Sequence, residues 1–222
     1  MPDSASEVSV ALFPIPNVVA FPGTVLPLHV FEPRYRQLVH DCVSDDRMVG
    51  VCHTVKTIHQ PSKQQTRAQT LEKALSSNQA TYKPREVFSA GPCEIVETTS
   101  DGRIIAAIRV CQRLTLVDEL QSLPYRIVSC TALEDAEPPE AGTDSKALQA
   151  AINERLIELV GAQNPELARQ LSEPDWASLE PADYSFRIFQ FLRFDADAMQ
   201  GILELQSAHA RLETIQDVLR RA

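Results

Sequence analysis

The sequence predicts an α+β protein, with a β-rich domain over residues 1–134, an acidic linker over 135–144 and a helical domain over 145–222. Three observations carry this expectation. The 24 residues from Val8 to Phe31 contain no Asp, Glu, Lys or Arg, yet hold Pro14, Pro16, Pro22 and Pro27. About seven short runs rich in aliphatic and β-branched residues precede residue 134. Beyond residue 144 apolar residues instead recur every three or four positions.

The uncharged opening is long enough for a membrane span, but four prolines would break such a helix repeatedly. Short buried strands joined by proline turns fit better, at Val8–Phe13 and Val25–Val30. Pro33 then suits the first turn of a helix running to about Ser44, whose positions Tyr35, Leu38, Val39 and Cys42 share one face. Met48–Thr54 reads as a buried strand. From 55 to 86 the chain turns polar, with six Lys or Arg against the single acid Glu72 between Lys56 and Arg85. This is a long exposed loop by composition, with a short helix near Gln69–Leu75; loops of this length are functional or disordered.

Strand character returns at Ala90. Pro92–Thr98 and Arg103–Val110 flank Asp101-Gly102, a hairpin signal because both residues tolerate positive φ. Arg113–Val117 and Tyr125–Leu133 add two strands. Glu134–Asp144 holds five acids, two prolines and a glycine and reads as a linker. In the helical part Leu148, Ile152, Leu156 and Leu159 line one face. Pro165 and Pro181 open two more helices, the second running through Phe186, Phe189 and Phe191. Ala208, Leu212, Ile215 and Leu219 stripe the last.

The composition argues against several kinds of chemistry. A formal net charge of −9 disfavours a sequence-independent grip on nucleic acid. No cationic leader with an apolar run and cleavage site is visible, so a cytoplasmic protein with no membrane association is expected. Five cysteines, none closer than ten residues to another, match neither a zinc site nor a disulfide framework and read as small buried hydrophobes in a reducing compartment. No two of the seven glycines lie closer than eleven residues, which excludes a phosphate-cradling loop. The five histidines form no metal-binding pair. Four of the five lysines lie in the polar 55–86 loop and the fifth abuts the acidic linker, so they read as solvated rather than held beside a nucleophile. No catalytic residue, cofactor or metal is therefore expected. His53, on a strand, Tyr82, beside Pro84, and Trp176, between helices, are the candidate partner-binding residues.

Leu12-Phe13-Pro14-Ile15-Pro16-Asn17-Val18-Val19, with Phe21-Pro22-Gly23 and Leu26-Pro27-Leu28, resembles the opening of the Lon protease N-terminal substrate-binding domain family. Phe31-Glu32-Pro33-Arg34-Tyr35 is similar to its free-standing bacterial members. Gly91, the Asp101-Gly102-Arg103 turn, Arg113, Asp195, Gln200, Leu203-Glu204 and Arg211-Leu212-Glu213 fit its later parts in order. The resemblance implies a PUA-like β pseudo-barrel followed by a helical bundle. It also implies a non-catalytic module for unfolded or extended polypeptide or a protein partner, tied to protein quality control. The ATPase and Ser–Lys peptidase of Lon lie in later domains, and this chain is expected to end before them. PUA-like folds also occur in RNA-associated proteins, so an RNA-binding module is the alternative; an uncharacterised hydrolase is a third.

Overall fold

A computed structural model describes residues 7–56, 82–136, 144–161 and 163–221. Five strands close a barrel in the order β1 (Val8–Pro14), β10 (Arg126–Ala132), β9 (Gln112–Gln121), β6 (Val87–Gly91) and β3 (Val49–Cys52). β1 closes it, pairing antiparallel with β10 and parallel with β3. A second sheet has the order β2 (Val25–Val30), β8 (Ile104–Arg109), β7 (Cys93–Thr98). Between β2 and β3 runs α1 (Pro33–Asp45). The expected β pseudo-barrel with helices after it is the fold observed.

The missing charge in the opening segment now has a cause. Val10 and Leu12 point into the barrel with Phe88, Leu114 and Val128, while Ala11 and Phe13 join a second core with Leu28, Val30 and the buried face of α1. Both faces of β1 are buried, so neither tolerates an ion. The four predicted α1 positions are all buried. The helix starts at Pro33, whose absent N–H costs nothing there, and ends at Asp46 in the left-handed region at φ 52. The β7–β8 hairpin turns through Gly102 at φ 78, as the Asp-Gly pair predicts.

Glycine matters most at Gly91, where the chain leaves the barrel for the second sheet. A Cβ there would stand 1.9 Å from the Arg109 carbonyl oxygen and 2.6 Å from its carbon. Neither atom can rotate away, so Gly91→Ala must displace backbone. We expect a loss of about 3 kcal/mol, the upper end for overpacking, read as a lower urea midpoint with unchanged slope. An unchanged midpoint would mean the two strands separate freely.

After the barrel come α2 (Ser145–Gly161), α3 (Pro165–Leu171), α4 (Pro174–Ala177), α5 (Pro181–Arg187), a 3-10 turn (Ile188–Gln190), α6 (Ala196–Glu204) and α7 (Ala208–Arg221). Their core includes Ile152, Leu156, Tyr184, Ile202, Leu212 and Ile215. It is continuous with the β part through Phe21, whose ring stacks on Phe189 at 3.9 Å, and through Gln200, which donates to the Val87 carbonyl at 2.9 Å.

Several expectations change. Ten strands are described where about seven were expected. The ends of the 55–86 segment form a ribbon, β4 (Thr54–Lys56) with β5 (Tyr82–Pro84), and β6 begins at Val87. Three-residue strands this polar carry no readable alternation. The rest of that loop, including the helix near Gln69–Leu75, lies outside the described residues. Leu159 is 38% exposed rather than core, while Ile157 and Val160 of the same last turn pack against the helical core. The second proline-opened helix stops at Arg187 and continues as the 3-10 turn. Cys42, Cys52 and Cys130 are buried as expected, Cys93 is half-buried, and Cys111 is exposed in the β8–β9 connection.

Candidate functional site

An apolar groove of about 470 Å³ runs along β2. Its floor is Leu26, Leu28 and Val30; Phe13, Ile15 and Val18 form the facing wall, and Tyr35 of α1 and Phe31 complete it. Phe31 is 67% exposed, unusual for a residue of its size. Glu32, Arg193 and His29 are the acidic or basic side chains in the lining.

The groove accompanies a free sheet edge. β2 pairs only with β8 among the described residues. The Val110 N–H donates to the Thr24 carbonyl, and the Arg109 N–H to the Pro92 carbonyl on the β7 side. With Val25 opposite Arg109, these two bonds fix the phase: Leu26, Leu28 and Val30 direct their main-chain groups to β8, and Val25, Pro27 and His29 direct theirs outward. Pro27 sits where its missing N–H breaks no internal bond, the usual place for proline on an edge. Free acceptors and donors thus lie beside an apolar floor. The other edge of this sheet, β7, carries a bulge between Ile95 and Glu97, which disrupts regular pairing.

The groove wall is held from behind by His53, which is 5% exposed. Its Nδ1 accepts the Asn17 N–H at 3.0 Å, and Asn17 occupies the left-handed region at φ 62 that Asn tolerates better than most residues. The Ile15 N–H donates to the Cys52 carbonyl at 2.9 Å. An accepting Nδ1 places the proton of the neutral ring on Nε2, which lies 3.9 Å from Asp197 Oδ1 of α6; the Arg85 guanidinium bonds the same carboxylate. Burial lowers the His53 pKa, Arg85 lowers it further, and Asp197 opposes them.

The sign follows from linkage. The unfolded chain binds a proton at His53 more readily, so this contribution is fully present above the unfolded pKa and is lost as pH falls through that value towards the lower folded one. We expect stability to fall between about pH 7.5 and about pH 5.5, and the fall to shrink in His53→Gln. Urea titrations at the two pH values check this. Identical pH dependence in both proteins would mean His53 does not titrate differently on folding.

The other candidates lie elsewhere. Trp176 is 7% exposed inside the helical core, against Tyr184 and Phe191, and its Nε1 donates to Asn153 Oδ1 at 2.9 Å. The Tyr82 backbone pairs with Lys56 at the start of β5, and its side chain lies outside the described residues. Neither His53 nor Trp176 lines the groove. Phe31 and Arg193 do, and sequence reasoning missed both. Phe31 closes the uncharged stretch, which was a usable signal; Arg193 had none. Among the described residues no His, Cys, Asp and Glu cluster suits a metal ion, and no helix is long and apolar enough to cross a membrane.

A family model described as the ATP-dependent protease La (LON) substrate-binding domain matches residues 9–221. Lon protease 1 of Herpetosiphon aurantiacus is 21% identical over 215 residues, covering 96% of this chain and 24% of the relative. Lon protease 2 of Myxococcus xanthus is 25% identical over 228 residues, covering 95% and 23%. The chain thus spans about a quarter of the length of these relatives. The N-terminal domain of a Mycobacterium avium complex Lon protease superposes with a TM-score of 0.67 at 14% identity, covering 96% of this chain and 98% of that one. A Lon N-terminal domain protein from Xanthomonas campestris gives 0.60 at 18%, covering 95% and 98%.

Proposed function

Because the chain belongs to the family of the ATP-dependent protease La (LON) substrate-binding domain, we propose that it is a non-catalytic cytoplasmic module that recognises extended apolar polypeptide. It acts as an adaptor or stand-alone recognition domain in protein quality control. The observation that carries this reading is the groove along β2, where an apolar floor lies beside unpaired main-chain groups. An unfolded polypeptide presents both complements at once, apolar side chains and an unpaired backbone. Strand addition uses main-chain hydrogen bonds for affinity and alternate side chains for the floor. His53 serves here as a positioning residue for the groove wall rather than as a contact.

A groove of this size offers limited area against the cost of ordering a flexible peptide, so affinity should be modest, about 10 μM or weaker. An RNA-binding role is disfavoured on charge. Arg103 pairs with Asp101 at 2.9 Å and Arg109 with Glu94 at 3.7 Å, so neither is a free cation for phosphate.

The test is a titration of labelled apolar peptides and of single-stranded RNA, each at about 50 and about 200 mM salt. Peptide should bind with little salt dependence, and Phe31→Asp should weaken it about tenfold without changing the thermal melt, because Phe31 is exposed. Salt-sensitive RNA binding without peptide binding would replace this reading with the nucleic-acid alternative.

A further inference from the structure

The charges in the groove do not balance. Glu32 is neutralised by Arg34, whose Nε and Nη2 reach the same carboxylate oxygen at 2.9 and 2.8 Å. Arg193, on the coil before α6, is exposed and has no hydrogen-bond or ion-pair partner among the described residues. Other exposed arginines, Arg103, Arg109, Arg155 and Arg169, each meet a carboxylate; Arg221, at the end of α7, does not among the described residues, but it does not line the groove. An unpaired guanidinium on a groove lined mostly by apolar side chains, in a chain of net charge −9, is a place for an anion on the ligand.

We infer that the groove reads the C-terminal end of an extended apolar polypeptide, with the terminal α-carboxylate on Arg193. This rests on the groove being the peptide site. Two considerations favour the terminus over an acidic side chain. Side chains of an added strand alternate between faces, so an internal Asp or Glu aimed into the groove would sit among apolar neighbours two residues away on either side. A buried carboxylate there is costly, whereas a terminal one lies past the last apolar residue. Moreover, a site that accepts varied sequences must rely on main-chain features. The outward groups of Val25, Pro27 and His29 supply the hydrogen bonds, and the α-carboxylate is the only charged main-chain feature at that end of a polypeptide.

The experiment compares one N-acetylated peptide of about eight Val, Leu and Ala residues in three forms: free acid, C-terminal amide, and amide with one internal Asp. Each is titrated into wild type, Arg193→Ala and Phe31→Asp by fluorescence anisotropy. Wild type should bind the free acid about tenfold more tightly than either amide, the scale of a partly exposed charge-assisted contact. Arg193→Ala should bind all three at the amide level, and Phe31→Asp should weaken all three. Equal binding of acid and amide overturns terminal recognition, and so does Asp-amide binding that matches the free acid. Acid preference that persists in Arg193→Ala overturns the assignment to this residue. If any of these occurs while Phe31→Asp still weakens the peptides, the groove stands as the polypeptide site. Indifference of all three peptides to Phe31→Asp overturns the groove itself.

Discussion

Leu28→Asp should abolish cooperative folding of the β part. Leu28 is a buried member of the core that joins β2, β8 and α1, and it faces Ala106 across the sheet. Removing the side chain forfeits about 1.5–3 kcal/mol of apolar burial. The carboxyl must then be buried without its solvent, at roughly 2–7 kcal/mol, or be protonated at a comparable cost. Together these approach the whole stability of an ordinary protein, about 5–15 kcal/mol. The expected readout is loss of the cooperative thermal transition, or a midpoint lowered by well over about 10 °C. A melt within a few degrees of wild type would place Leu28 on solvent and undo the assignment of faces along β2.

Asp135→Ala should be nearly as damaging, although the residue stands in a run of acids that reads as linker. Asp135 is the shared counter-ion of Arg113 and Arg211, which are 4% and 0% exposed. Arg211 donates to both carboxylate oxygens, at 2.6 and 2.7 Å, and Arg113 to one at 2.6 Å. The remaining donors go to the Leu203 and Leu205 carbonyls and the Ser185 hydroxyl, and both guanidiniums lie over the Phe186 ring. Burial alone would raise the Asp135 pKa, but the hydrogen bonds and charges of Arg211 and Arg113 hold it below the usual carboxylate value. Without the carboxylate, two buried cations face each other unpaired. Breaking a buried pair costs roughly 3–5 kcal/mol, which predicts a melting temperature lower by on the order of 10 °C. A shift under about 2 °C would mean water replaces the carboxylate freely. Because this cluster joins β9, the stretch after β10, α5 and α7, its loss should also loosen the helices from the barrel.

The parts of the fold legible in the sequence were those with local causes. Proline placement and the absence of charge revealed β1 and β2, apolar spacing revealed the buried face of α1, and Asp101-Gly102 revealed a hairpin. What escaped depends on residues far apart in the chain. Arg113 and Arg211 stood in recognisable motifs, but their common partner was hidden in an acidic run. The β4–β5 ribbon pairs Thr54–Lys56 with residues nearly thirty positions away through strands too short to show a pattern. The groove was half legible. Its floor lies in the uncharged opening, but the exposure of Phe31 and the arrival of Arg193 from the helical part follow only from the packing of the two parts. His53, marked for a partner, lies behind the wall, where its Nδ1 accepts the Asn17 N–H.

The central claim is that polypeptide adds to the free edge of β2. Amide hydrogen exchange by NMR tests it residue by residue, with and without saturating apolar peptide. The Val25 and His29 amides, which point away from β8, should gain protection on binding, while the amides of β7 at the opposite edge stay unchanged. Protection at β7, or at neither edge while peptide is bound, would contradict the account.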